Sequence, residues 1–234
     1  MISLCCPSRG RPKLAKRLVD TALTTADHDV EFLFYLNQDD ETLEEYRDLL
    51  NEKYYSIGPN QSTCYSWNLL AEKAKYDIVC LLGDDVQIQT KSWDTLINSE
   101  FNKYDDKILM VVPNDDRNKL NLKEPTLWGD EPLGAAHFAV HKNWIKTLGY
   151  FVPPFFWHFY VDTWTQKVSR QLNRCLYLPT VTFKAKKLLD ATAQNVRSNL
   201  NILNREDYVW SKAKDRHLKA DVSALKNFID NFKS

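Results

Sequence analysis

The chain has 234 residues, enough for one large domain with a substantial core. A composition of 44% hydrophobic, 12% aromatic and 26% charged residues is typical of a soluble globular protein and excludes a disordered chain. The net charge is zero, but the charges are unevenly distributed. Residues 1–117 carry −8 (13 basic, 21 acidic) and residues 118–234 carry +8 (18 basic, 10 acidic). This asymmetry indicates either solvated helix faces or a basic second half that binds a phosphate-rich ligand.

The first part of the chain alternates predicted strands and helices, the rhythm of a mainly parallel sheet flanked by helices. Hydrophobic patterning predicts strands at Ile2–Cys6, Val30–Leu36, Tyr54–Ile57 and Ile78–Leu82. The helices between them run from about Pro12 to Ala26, from Leu43 to Leu50 and, after a possible cap at Ser62, through Ala74. This order predicts an α/β fold.

The second part continues the pattern with longer loops. Apolar periodicity predicts a helix at Trp93–Ile97, strands at Ile108–Val112, 134–140 and Cys175–Phe183, and helices over 142–149 and from Asp162 to about Asn173. Residues 113–132 predict a long polar loop of the kind that covers a site, and residues 150–162 an aromatic-rich loop. We therefore expect a catalytic domain over residues 1–185 and a basic helical extension over residues 186–234, packed on the same domain.

The cysteines and the apolar segments indicate the compartment. The five cysteines lack paired spacing, which predicts buried free thiols rather than disulfides or a zinc site: Cys5, Cys6, Cys64, Cys80 and Cys175. No apolar stretch approaches the roughly 18 residues that a membrane span requires. Met1 leads directly into a strand-like segment, so a cytoplasmic protein without a membrane partner is expected.

Three polar turns follow three predicted strands, at the edge of the sheet where ligands bind in α/β folds. Guanidinium groups are suited to phosphate oxygens, and adjacent carboxylates repel unless water or a cation such as Mg²⁺ or Mn²⁺ separates them. Each turn alone is also explained by solvation or capping. Together they predict a ligand-binding rim. Arg9, Arg11, Asp84 and Asp85 would serve phosphates there, and the turn with Asn37, Asp39 and Asp40 would accept hydrogen bonds from a nucleoside.

Five stretches in this order resemble nucleotide-sugar-dependent glycosyltransferases of the GT-A fold: "CCPSRGRP", "LNQDDE", "SWNLLAEKAKYDIVCLLGDDV", "GAAHFAV" and "FWHFYVDTWTQKVSR". The similarity is closest to compact family-2-like enzymes carried by phage genomes, and it covers roughly residues 1–185. It implies a Rossmann-like, mixed and mainly parallel sheet. It also implies sugar transfer from a nucleoside diphosphate sugar, with a UDP-sugar expected, to an acceptor hydroxyl.

The resemblance assigns donor-binding roles position by position. Arg9 and Arg11 would contact the nucleotide or its diphosphate, and Asp39 would contact the nucleoside. Asp85, with Asp84 beside it, matches the aspartate motif that binds the diphosphate through Mn²⁺ or Mg²⁺.

This motif departs from the family in two ways. Its carboxylates are adjacent instead of one residue apart, so either Asp84 or Asp85 can be the metal ligand. The histidine that many relatives carry after the last strand is replaced by "VTFKAKK", where Lys184, Lys186 or Lys187 can neutralise the diphosphate instead.

The acceptor side has its own candidates. Gly134 and Ala135 match the small turn that lets the acceptor approach, and Asp162 matches the general base. A positioned carboxylate would speed hydroxyl attack about 10²–10⁴-fold, and attack in line by such a base predicts inversion. Asp162 is also explained as a helix N-cap. His158 can hold a hydroxyl or phosphate, or it can simply be packed among aromatics.

The sequence leaves the identity of the acceptor open. The basic second half and the exposed-looking aromatics suit a flipped base, such as a hydroxymethylated pyrimidine in phage DNA: Phe155, Phe156, Trp157, Phe159 and Tyr160. A saccharide or protein hydroxyl is the plainer acceptor. Rival classes are a metal-dependent nucleotidyltransferase or phosphate hydrolase using Asp84 and Asp85, and a binding module without catalysis.

Overall fold

The structure, a computed structural model, describes residues 1–115, 124–127, 135–185 and 199–232. Its strands are β1 (Ile2–Ser8), β2 (Val30–Asn37), β3 (Tyr55–Gly58), β4 (Ile78–Leu81), β5 (Val86–Ile88), β6 (Met110–Asn114), β7 (Thr126–Leu127), β8 (Phe138–His141) and β9 (Cys175–Ala185). Its helices are α1 (Pro12–Thr25), α2 (Leu43–Leu49), α3 (Thr63–Lys73), α4 (Trp93–Asn102), α5 (Lys142–Leu148), α6 (Val161–Gln171), α7 (Leu200–Ala213) and α8 (His217–Phe232), with a short 3₁₀ helix at Glu52–Tyr54.

The strands form one sheet in the order β3-β2-β1-β4-β8-β6-β9-β5, and β7 pairs with β9. The neighbours β3, β2, β1 and β4 run parallel, as do β6 and β9, whereas β8 lies antiparallel between β4 and β6. This confirms the predicted mixed and mainly parallel sheet. Because β1, β2 and β4 point the same way, the turns that follow them lie at one edge.

Side chains alternate across the sheet and bury two apolar clusters. In β1, Ile2 and Leu4 face the cluster under α1, α2 and α4, while Cys5 faces the cluster under α3, α5, α6 and α8. Each cluster contains fully buried indoles, Trp93 in the first and Trp144 and Trp164 in the second. Burying one large apolar side chain contributes about 1.5–3 kcal/mol, so these anchors hold the helices to the sheet.

The C-terminal helices pack on this same core. Leu225 and Ile229 of α8 are buried in the cluster that also contains residues of α5 and α6. Asp221 of α8 accepts hydrogen bonds from the hydroxyl of Tyr150 and from Nε1 of Trp164, at 2.8 Å for the indole. A division of the chain at residue 185 stays a prediction.

Two short strands differ from the sequence prediction. Val86–Ile88 form β5 directly after the paired aspartates, and β7 lies within the predicted loop over residues 113–132, most of which is outside the described residues. Both pair with β9, far along the chain, so local patterning carries little signal for them.

All five cysteines are free and buried, as predicted. Among the helices described, none has the length and apolarity needed to span a membrane.

Candidate functional site

A cleft of about 550 Å³ lies at the carboxyl ends of β1, β2 and β4. This volume is in the usual range for small-molecule sites. Its walls come from the turns after these strands, the start of α3 and the segment over residues 157–162. The polar side chains lining it include Ser8, Arg9, Arg11, Asn37, Asn60, Gln61, Thr63, Asp84, Asp85, His137, His158 and Asp162.

Asp84 lies at the floor of the cleft and is only 4% exposed. It accepts hydrogen bonds from Oγ of Ser8 at 2.7 Å and from Nη1 of Arg11 at 2.9 Å. The hydroxyl of Tyr46 extends this network, since it pairs with Ser8 Oγ at 2.6 Å and accepts from the Arg11 backbone N–H at 3.0 Å. Burial raises the pKa of Asp84 to about 6, although Arg11 opposes the shift. Asp84 therefore fixes the position of Arg11.

Asp85 has a different environment from its neighbour. It is half-buried, and its Oδ1 lies 2.8 Å from the point that a Cβ on Gly83 would occupy. The Cε1 atom of His137 lies 3.6 Å from that same point. Nη2 of Arg17 donates to the Asp85 carbonyl at 3.0 Å and steadies the turn. A side chain at position 83 would meet the Asp85 carboxylate, which would have to shift to make room for it.

The geometry around Asp85 fits a divalent cation shared with a substrate. Within the described residues, no group of three or more His, Cys, Asp or Glu side chains is arranged to hold a metal. Mg²⁺ and similar cations in phosphate sites use one or two carboxylates, and substrate phosphates and water complete the coordination. The space left by Gly83 admits the Asp85 carboxylate, whereas Asp84 is engaged by Arg11.

The outer wall of the cleft is a chain of exposed polar side chains. Arg9 Nη1 donates to Asp39 Oδ1 at 2.5 Å, and this contact lowers the pKa of Asp39. Nδ2 of Asn60 lies 3.4 Å from Asp39 Oδ2, and Asn37 Nδ2 donates to Asn60 Oδ1 at 3.1 Å. Asp40, in the same turn, is buried and accepts from the backbone N–H of Gly10 at 2.8 Å. The exposed amides remain accessible to a ligand, while Asp40 holds the two turns together.

The opposite wall is the aromatic segment that precedes α6. Tyr160 has a φ of 67°, a strained value for a non-glycine residue, and occupies the N-cap of α6. Asp162 is the second residue of the helix, so it is not the N-cap, and its Oδ1 accepts from the Thr163 N–H at 2.7 Å. The expectation of an exposed aromatic surface is wrong for Phe156, which is 1% exposed in the core, whereas Trp157 is 41% exposed.

His158 is held inside this wall. Its Nδ1 lies 2.9 Å from Oγ1 of Thr63, at the start of α3. Burial lowers the pKa of His158 to about 4, so the ring is neutral at pH 7. A neutral imidazole contributes hydrogen bonding to the cleft, not positive charge for a phosphate.

The buried neutral ring predicts a pH dependence of stability. Its pKa is lower in the folded protein than the ordinary value of 6.5, so the unfolded chain takes up the proton first. The contribution of the neutral His158 ring to the free energy of unfolding is fully present above pH 6.5, and it is expected to fall as the pH drops towards about 4. The His158→Gln variant should lose less stability than wild type between pH 7 and pH 4.5 in urea unfolding. Equal losses in the two proteins would contradict this assignment.

The structure brings most of the predicted site residues to one cleft. Its lining contains Arg9, Arg11, Asn37, Asp84, Asp85, Trp157, His158 and Asp162, and Asp39 lies beside Arg9. Ala135 is buried, with Ala136 at the cleft instead, and Lys184 is exposed on β9 opposite Gln87 of β5, away from the cleft lining. Gly134, Lys186 and Lys187 lie outside the described residues.

Sequence reasoning missed several lining residues. The cleft lining also contains Asn60 and Thr63, from a turn and a helix start, and Tyr35, Trp67 and His137, from a strand, a helix and the segment before β8. The polar His137 in the otherwise apolar stretch "GAAHFAV" was the available signal.

The strand order and the cleft at the ends of β1, β2 and β4 define a class of fold: the chain has a Rossmann-like α/β fold of the GT-A type. No protein-family model matches the chain. A comparison of its sequence with curated proteins gives no significant match.

Solved structures carry this assignment of the fold. The mannosyltransferase PcManGT from Pyrobaculum calidifontis, in complex with GDP-Man and Mn²⁺, matches with a TM-score of 0.59 and 14% identity over 97% of this chain and 74% of that chain. Residues 1–349 of S. aureus TarS, in complex with UDP-GlcNAc, match with a TM-score of 0.62 and 12% identity over 97% and 72%. A mycobacterial protein matches with a TM-score of 0.59 and 10% identity over 88% and 73%.

Proposed function

We propose that the protein transfers a sugar from a nucleoside diphosphate sugar to an acceptor hydroxyl. The observation that carries this proposal is the convergence of Arg11, Asp85 and Asp162, from three separate segments, on one cleft. Such a cleft combines groups for a diphosphate with a carboxylate for a hydroxyl. Neighbours of the same fold that were solved with GDP-Man and with UDP-GlcNAc support a nucleotide-sugar donor.

The donor binds along the wall made by the turns after β1, β2, β3 and β4. Asn37 and Asn60 offer amide groups to the nucleoside. The ion pair of Arg9 and Asp39 forms the end of the cleft where the nucleoside binds. Arg11, held by Asp84, directs its guanidinium towards the diphosphate. Asp85 would hold Mn²⁺ or Mg²⁺ beside the diphosphate. When bound, this cation neutralises the charge that develops on the departing diphosphate.

Asp162 acts as the general base. Its Oδ1 is occupied by the N–H of Thr163, so Oδ2 is the oxygen that takes the acceptor proton. The acceptor oxygen bonds to the anomeric carbon as the bond from that carbon to the diphosphate oxygen breaks, and the nucleoside diphosphate leaves. Attack on the face opposite the leaving group inverts the anomeric configuration.

The acceptor is a saccharide or protein hydroxyl in this proposal. Trp157 is the exposed aromatic of the cleft, and one indole suits the flat face of a sugar ring. A hydroxymethylated pyrimidine in DNA is the second acceptor class, supported by the basic charge of residues 118–234. The burial of Phe156 leaves fewer aromatics for stacking a flipped base than the sequence suggested. A cytoplasmic location and a phage origin stay predictions.

The decisive experiment is a mass-spectrometric screen of UDP- and GDP-sugars, with and without Mn²⁺. Acceptors are simple glycans, hydroxyl-bearing peptides and hydroxymethylated DNA. We expect a glycosylated acceptor and release of a nucleoside diphosphate. Release of a nucleoside monophosphate or of pyrophosphate would instead support a hydrolase or nucleotidyltransferase. Donor binding without transfer or donor hydrolysis under any pairing would indicate a binding module.

A further inference from the structure

The C-terminal helix α7 reaches the cleft wall through one buried carboxylate. Glu206 has no exposed surface and accepts hydrogen bonds from three successive backbone N–H groups of the aromatic segment. The donors are Trp157, His158 at 3.0 Å and Phe159 at 2.5 Å. These residues belong to neither a helix nor a strand, so the carboxylate supplies the acceptors that regular structure would otherwise provide.

The same segment is also bonded to the start of α3. The carbonyl of Trp157 accepts from the Cys64 N–H at 3.3 Å, and His158 pairs with Thr63. Residues 157–159 therefore lie between α3 and α7, and bonds fix them on both sides. Since Tyr160 and α6 follow at once, the position of this segment sets the position of Asp162.

Two other residues of α7 contact Tyr160, the next residue of the cleft wall. The Tyr160 hydroxyl donates to Asp207, and the Tyr160 ring stacks on Trp210, with centroids 5.1 Å apart. Successive residues of the cleft wall thus contact one helix, and the buried carboxyl group of Glu206 makes the central contact.

We propose that Glu206 is a positioning residue for glycosyl transfer, acting through residues 157–160 to place Trp157 and Asp162 on the acceptor side of the cleft. The inference rests on the proposed function, because Asp162 is the base assigned there. The hydrogen bonds described for Glu206 go to residues 157–159, whereas the donor wall is built by Arg9, Arg11, Asn60 and Asp85. Loss of the Glu206 carboxyl group should therefore lower acceptor affinity and the rate of the chemical step, and it should leave donor affinity unchanged.

The test is the Glu206→Gln variant, which keeps the side-chain shape but replaces one acceptor oxygen with an N–H donor. We expect hydrogen–deuterium exchange of the amides of residues 157–159 to accelerate. Displacement of a catalytic group by about 1 Å can cost up to ~10²-fold. We therefore expect kcat over the acceptor KM to fall by about that factor, while donor Kd by calorimetry stays within twofold of wild type.

Two further variants make the result decisive. Asp215→Asn removes one negative charge from an exposed site after α7 and should match wild type in every measurement. Glu206→Asp keeps the carboxyl group but shortens the side chain, so that it no longer reaches the N–H groups of residues 157–159. This variant should show the same faster exchange. Unchanged exchange and unchanged acceptor kinetics in the folded Glu206→Gln protein would overturn the proposal. So would an equal loss of donor and acceptor affinity, since that indicates general destabilisation.

The two proposals fail in different ways. If wild type binds no nucleotide sugar, the proposed function is wrong whatever Glu206 does. If wild type binds and transfers while Glu206→Gln retains both its acceptor kinetics and its amide protection, only the positioning role is wrong.

Discussion

Replacing Asp162 by asparagine is expected to lower kcat about 10²–10⁴-fold, because the amide cannot take the proton of the attacking hydroxyl. Donor affinity should stay within twofold, since Asp162 lies on the wall opposite Arg9 and Asn60. The amide oxygen can still accept from the Thr163 N–H, so α6 should begin as in wild type. Initial rates of nucleoside diphosphate release with saturating donor, together with donor Kd by calorimetry, measure both quantities.

The control for this variant is Asp215→Asn, which makes the same change of charge at an exposed position. A kcat that survives in Asp162→Asn would remove this residue from the chemistry and leave binding as its role. A parallel loss of donor affinity would place Asp162 in the donor site. Either result would require a different base in the cleft.

Much of the sheet was predictable because the information is local. The five consecutive apolar residues Ile78–Leu82 predict a buried strand, and the structure has β4 there. Ser62 was predicted as a helix cap, and its Oγ accepts from the Tyr65 N–H at 3.0 Å. Polar turns after parallel strands must lie at one edge of the sheet, so the convergence of Arg9, Asn37 and Asp84 also followed from chain order.

The remaining features depend on contacts that distant segments make only after folding. Glu206 reaches residues about 50 positions earlier, and no local pattern marks it as different from a solvated helix carboxylate. The aromatic segment reads as exposed, yet Phe156 is buried because α6 and α7 enclose it, with Trp164 and Trp210 against its ring. The strand β5 forms only because β9 supplies its partner.

The paired aspartates show the same limit. In the sequence, Asp84 and Asp85 are equivalent neighbours, and either can be the metal ligand. The fold separates them: Asp84 turns towards Ser8 and Arg11, and Asp85 turns over Gly83. The Asp84 carboxylate thus holds Arg11 in place, and the Asp85 carboxylate lies at the cleft. This difference arises at the N-terminus of α1, where Arg11 is the N-cap residue and donates to Asp84.

The separation predicts opposite effects for two single substitutions. Asp85→Ala is expected to lower kcat about 10²–10³-fold and to abolish stimulation by Mn²⁺, because the departing diphosphate loses its electrostatic stabilisation. Its effect on the free energy of unfolding should be under about 1 kcal/mol, since the side chain is half-exposed. Asp84→Ala removes one member of a buried ion pair and is expected to cost about 3–5 kcal/mol of stability.

Urea unfolding and Mn²⁺ titration of donor hydrolysis separate the two effects. Asp84→Ala should keep its response to Mn²⁺ at a temperature where it is folded, with weaker donor binding because Arg11 is no longer held. The double replacement Arg11→Met with Asp84→Leu tests the cause, since it removes the ion pair without leaving a buried charge alone. It should recover most of the lost stability but not the donor affinity. If instead Asp84→Ala loses the Mn²⁺ response and Asp85→Ala keeps it, the metal assignment is reversed.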